Sequence, residues 1–138
     1  MFLFGKNKEI EKGDIFISAY NLEEMKSEHK KMRMVTYNGD DLTCFKSAEY
    51  LKKKYGEELT GRKLVIEKRE YKEVYKKKYV IKFFIDGKKV GVIFDDSEYY
   101  KKVMNGKLES IHAKIVQENI LNGKGKIISR NKVELYVK

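Results

Sequence analysis

Apolar and polar positions alternate most regularly between residues 62 and 94, where "RKLVIEKRE", "YVIKFFI" and "KVGVIF" have the β-branched and aromatic content of strands. In the second run a period of two puts Tyr79, Ile81, Phe83 and Ile85 on one face and Val80, Lys82 and Phe84 on the other. The first set is the expected core face. Asp86-Gly87 separates the second and third runs and suits a type I′ hairpin turn. Gly91 interrupts the third run, so a bulge or a close backbone approach is expected there.

Helical spacing is clearest after Thr43, a candidate N-cap. Cys44, Ala48, Leu51 and Tyr55 fall at i, i+4, i+7 and i+11, and Gly56 stands where the helix should end. Lys52, Lys53 and Lys54 lie in its last turn, where positive charge complements the helix dipole. Upstream, "DIFISAY" reads as a strand, "NLEEMKSEHKKM" as a helical or irregular turn, and "MRMVTY" as a strand ending at the turn residues Asn38 to Asp41. Downstream, "DDSEYYKKVMNG" predicts a short helix capped by Asp95-Asp96, with Tyr100, Val103 and Met104 on one side. "LESIHAKIVQ" puts Ile111, Ala113 and Ile115 on one strand face, and "GKIISRNKVELYVK" supplies one or two closing strands after the loop "NGKG". The pattern is mainly β with short helices, an α+β chain, in which residues 1–13 form a flexible arm and residues 14–138 a single domain.

A chain of 138 residues can bury one core without disulfide or metal staples. No apolar run approaches the roughly 20 residues that cross a bilayer, so a cytoplasmic protein without a membrane partner is expected. The single cysteine, Cys44, excludes an internal disulfide and sits on the apolar helix face, where packing is its expected role. A formal net charge of +10 favours a polyanionic partner. Only four of the 31 basic residues are arginine, however, and arginine is the better phosphate and base reader.

Catalytic groups do not gather into any spaced motif. His29 and His112 lack a metal-ligand partner at i+4, and "NGKG" lacks the spacing of a phosphate loop. The carboxylate pairs Asp40-Asp41 and Asp95-Asp96 are of the type that holds a divalent ion, yet both stand where turns and helix starts need them. No enzyme activity, cofactor or metal is expected. What remains is "REYKEVYKKKY", in which Arg69, Tyr71, Tyr75 and Tyr79 interleave with Lys72, Lys76, Lys77 and Lys78. Single strands are held by cations on phosphates and aromatic faces under bases. Half-buried strand tyrosines and lysines that guard a sheet edge would give the same composition.

From about Gly56 to Gln117 the order of features resembles the HIRAN domain: "GEELTGRKLVIEKRE", "VYKKKYVIKFFIDGKKVGVIF", "DDSEYYKKVMNGKL" and "ESIHAKIVQ". The family occurs in some helicase-like proteins and alone in bacteria and phages. The resemblance implies a small OB-like β-barrel of about six strands with two helices. It also implies a cap for the 3′ end of single-stranded DNA, with aromatic groups on the terminal bases and an acid near the 3′-hydroxyl. The family loop usually reads Asn-x-Tyr-Asp-x-Asn-Ala-Ile. Tyr75 matches its tyrosine and Ile81 its isoleucine with one extra residue between them, whereas Lys76 replaces the Asp and Tyr79-Val80 the Asn-Ala pair. A non-enzymatic module for single-stranded DNA or DNA ends, of reduced end specificity, is therefore expected, with Tyr37, Arg69, Tyr75, Lys76 and Lys77 lining its site. The alternative is a protein–protein interaction module of phage or mobile-element origin that kept the barrel and lost the nucleotide site. Its partner would dock on a sheet edge or on a patch of Phe94, Tyr99 and the "MFLF" arm.

Overall fold

The computed structural model describes residues 12–17, 29–36, 41–72 and 77–138, the side chains of 12–16, 71, 72, 77 and 78 excepted. Among these residues seven strands and two helices follow in the order β1 (Lys12–Phe16), β2 (Lys30–Met32), α1 (Asp41–Tyr55), β3 (Lys63–Lys72), β4 (Lys77–Ile85), β5 (Lys88–Phe94), α2 (Tyr100–Met104), β6 (Ile111–Leu121) and β7 (Ile127–Val137). The strands form two antiparallel sheets, one in the order β1-β3-β4-β5 and one in the order β2-β7-β6. The mainly β, α+β composition is as expected, but the strands divide between two sheets rather than closing into one barrel. Two isolated antiparallel bridges link the sheet edges, Val35 to Val92 of β5 and Glu58 to Lys114 of β6.

The core lies between the sheets and under α1, which packs on β5 of one sheet and β7 of the other. The helix buries Cys44, Ala48 and Leu51 at the expected spacing, with Tyr55 half-buried against the core; Ser47 is buried beside them, its hydroxyl donating to the Thr43 carbonyl at 2.9 Å. Gly56, at φ +84°, ends the helix in the left-handed conformation that glycine tolerates. The helix starts two residues before Thr43. Asp41 is its first residue, and the Thr36 hydroxyl donates to the Asp41 carboxylate, tying the incoming chain to the first turn.

Ile81, Phe83 and Ile85 are buried as the alternation requires. Val80 and Val92, on the opposite face, are buried too, so this part of the sheet is covered on both sides. The β4–β5 turn has φ +55° at Asp86 and +75° at Gly87, the two positive values of a type I′ turn. Gly91 combines both expected features. Phe83 pairs with Gly91 and Phe84 with Lys89, which leaves Val90 as the bulged residue. A Cβ on Gly91 would stand 2.7 Å from the Met34 sulfur and 3.0 Å from the Met34 Cβ. Gly91→Ala should therefore cost about 1–3 kcal/mol in chemical denaturation, the range for overpacking. Adding Met34→Ala should relieve the part of that cost that comes from the Met34 thioether, while the contact with its Cβ remains.

Three boundaries differ from the sequence reading. Lys12 and Gly13, read as the end of an arm, pair with Glu67 and Ile66. Lys30–Met32, read within a helical or irregular turn, is a strand whose Met32 is buried against the core. The Asp95 carboxylate does not cap α2; it accepts the Tyr79 backbone N–H at 3.1 Å, and α2 carries no side-chain cap. No described helix is long and apolar enough to cross a membrane.

Candidate functional site

The Tyr/Lys stretch connects β3 to β4 as the far end of a hairpin whose register runs from Leu64 opposite Ile85 to Lys72 opposite Lys77. Tyr37, Tyr75 and Lys76 lie outside the described residues, and Lys77 opens β4. Arg69 is exposed, and its Nε lies 2.5 Å from a Glu67 carboxylate oxygen. Arg69 is the exposed member of this pair, and the Glu67 side chain is largely covered. Arg69 stands opposite Val80, one residue out of phase with Tyr79, so it serves the other face of the hairpin.

Tyr79 corrects the sequence reading. Its alternation places it with Ile81, Phe83 and Ile85, yet it is 38% exposed. The reason lies across the strand. Ile85 and Phe83 face Leu64 and Ile66, whereas Ile81 faces Lys68 and Tyr79 faces Glu70. The apolar floor ends at Ile81, and the hairpin runs on beyond the core. The Lys68 ammonium sits 4.6 Å from the centre of the Tyr79 ring, a cation over an exposed π face. Asp95 grips the Tyr79 backbone through both its carboxylate and its own N–H, which donates to the Tyr79 carbonyl at 3.0 Å. The ring thus stands on a fixed backbone two strand pairs short of the last described pair of the hairpin, Lys72 with Lys77.

A second cation–aromatic group, not recognised in the sequence, gathers around Asp86. Its carboxylate accepts from Lys54 at 2.8 Å, from the Tyr55 hydroxyl at 3.2 Å and from the Tyr50 hydroxyl at 3.3 Å. Lys88 lies over the Tyr50 ring and Arg62 over the Tyr55 ring, at 4.7 and 4.6 Å. An open cleft of about 670 Å³ beside them is lined by Tyr55, Arg62, Lys63, Asp86 and Gly87 among others. Lys54 therefore does more than complement the helix dipole, because it joins the C-terminal turn of α1 to the β4–β5 turn. The hydrogen bond that Lys54 donates to Asp86 holds the carboxyl below its usual range and raises the lysine.

Because the folded-state value of Asp86 is depressed, its stabilising contribution is present above the ordinary carboxylate range, about pH 4, and is lost as pH falls through the folded value. Asp86→Asn keeps a residue that tolerates the left-handed turn but removes the charge. It should melt below the wild type at neutral pH and converge with it in acid, as followed by thermal melts across pH.

The remaining chemistry-bearing groups are structural in their surroundings. Cys44 is buried on α1. The His112 ring is fully buried, with Nε2 2.8 Å from a Glu58 carboxylate oxygen, and His29 Nε2 lies 2.6 Å from the Ser110 hydroxyl. Among the described residues no three His, Cys, Asp or Glu side chains converge as metal ligands. Phe94 and Tyr99 line a cleft of about 340 Å³ together with Arg33 and Val35. No family model, curated protein or solved structure matches the chain.

Proposed function

We propose that the protein is a non-enzymatic, HIRAN-like module that binds single-stranded DNA or another single-stranded nucleic acid in the cytoplasm, with reduced specificity for strand ends. The two sheets serve as halves of an incompletely closed OB-like barrel, a reading supported by the Val35–Val92 and Glu58–Lys114 bridges. The observation that carries the function is Tyr79: an aromatic ring on the core-facing register that emerges into solvent under a lysine, towards the end of the β3–β4 pairing, where the sequence places Lys72, Lys76, Lys77 and Lys78. A base stacks on such a face. Lys68, long and flexible, swings aside to meet a phosphate. Arg69, on the other face of the hairpin and paired with the largely covered Glu67, meets phosphate where the strand wraps the hairpin edge, and Tyr75, Lys76 and Lys77 extend the site.

The test is titration of a labelled oligothymidylate at two salt concentrations. Each phosphate contact on a single strand contributes a slope of about −0.7 in log affinity against log salt, so three contacts should lower affinity roughly 20-fold between about 50 and 200 mM salt. Absence of binding at the lower concentration would overturn the proposal. Co-purification of one stoichiometric protein after nuclease treatment would favour the interaction-module reading instead.

A further inference from the structure

The β6–β7 hairpin is longer than the core beneath it. Ile115 and Val133 are buried, and Asn131 is the last buried residue along β7, donating to Glu49 of α1 at 2.6 Å. From the Gln117–Asn131 pair to the Leu121–Ile127 pair the ribbon holds five cross-strand pairs, a reach of about 14 Å at roughly 3.4 Å per residue step. A two-stranded ribbon without a core is marginal in water, and here cross-strand side chains hold its register. Arg130 and Lys132 pair with Glu118 at 2.8 and 3.0 Å, and Ser129 donates to Asn119 at 2.6 Å. The apex is fixed as well: the Asn122 side-chain oxygen accepts the backbone N–H groups of both Lys124 and Lys126.

The outer end of this ribbon is apolar on both faces. Leu121 and Ile127, directly paired, are 69% and 73% exposed, and Ile128 is 41% exposed opposite Ile120. Residues 116–132 carry four cations against the one carboxylate of Glu118. We propose that the β6–β7 ribbon is an arm for double-helical nucleic acid, entering a groove with Leu121 and Ile127 against the base edges while Lys124 and Lys126 meet the flanking phosphates. A two-stranded ribbon fits the major groove, and apolar side chains on a basic arm are the wedges with which minor-groove binders open base steps. The position of the lysines sets this partner above the others that an apolar tip could meet. They stand at the apex beyond the Leu121–Ile127 pair, so a bilayer would have to admit two ammonium groups first. The arm is a different hairpin from the single-strand site, and its claim stands or falls separately.

The experiment is anisotropy with a fluorescein-labelled blunt duplex and, in parallel, a labelled oligothymidylate. Lys124→Glu/Lys126→Glu should reduce duplex affinity at least tenfold and flatten its salt slope by about two. Leu121→Ser/Ile127→Ser should reduce duplex affinity while leaving the salt slope in place. Both variants alter exposed positions and should melt with the wild type, and both should retain wild-type affinity for the single strand. Duplex binding unchanged in both variants, or no duplex binding by the wild type, would overturn the arm whatever the single-strand result. Sedimentation of the wild type with phosphatidylserine vesicles, lost in Leu121→Ser/Ile127→Ser, would reassign the ribbon to a membrane surface. A Leu121/Ile127-dependent dimer in sedimentation equilibrium would reassign it to a second copy.

Discussion

Phe83→Ala should destabilise the protein by about 3–5 kcal/mol, the range for deleting a buried large aromatic ring. Phe83 has no exposed surface and is the largest of the fully buried side chains. It sits on β4 between Ile66 of β3 and Gly91 of β5, beside the bulge at Val90. Because Gly91 has no side chain and Met34 fills the space beyond it, little nearby can move in to fill the cavity. For a chain of this size the loss corresponds to a fall of about 10–20 °C in melting temperature. Single domains have only about 5–15 kcal/mol in total. Calorimetry or chemical denaturation of the variant measures it, and a loss below about 1 kcal/mol would mean that the two sheets do not pack around Phe83 as described.

Tyr79→Ala should behave in the opposite way. The ring lies four positions beyond the last fully apolar pair of the hairpin, Phe83 with Ile66, and more than a third of Tyr79 is exposed, so truncation should lower stability by less than about 1 kcal/mol. Single-strand affinity should fall by about 1–3 kcal/mol, roughly 5- to 150-fold, the value of one stacked base. Tyr79→Phe should retain most of the affinity, because stacking needs the ring and not the hydroxyl. The pair of variants separates stacking from packing: affinity that stays constant while the melting temperature falls would return Tyr79 to the core.

The contrast between Phe83 and Tyr79 also marks how far the sequence could be read. Alternation along "YVIKFFI" correctly assigned Ile81, Phe83 and Ile85 to the core, and Asp86-Gly87 fixed the turn, because both depend on local chemistry alone. The same alternation misassigned Tyr79. Whether a ring on the core face is covered depends on the residue across the strand, and the register that puts charged Lys68 and Glu70 there is a long-range property. The helix face of α1 was legible from its spacing, but the ion pair of Lys54 with Asp86 was not, since 32 residues separate them. Likewise "GKIISRNKVELYVK" was legible as strand. Its excess length over the core, which makes the β6–β7 ribbon project, follows from the packing of α1 and could not be inferred from the pattern. Of the residues first assigned to the site, Arg69 is the one whose side chain is described. Its phase places it on the face opposite Tyr79 and Lys68.

Single-strand binding through stacked bases is tested most directly by comparing two labelled strands of equal length and charge, one oligothymidylate and one abasic. Both offer the same phosphates to Lys68, Arg69 and the lysines of the turn, and only the first offers bases to Tyr79. At roughly physiological salt, where purely electrostatic attachment is weakened, the base-bearing strand should bind at least about fivefold more tightly, the lower bound for one stacked base. Equal affinities for the two strands would contradict the proposal and reduce the interaction to nonspecific attraction between a basic surface and a polyanion.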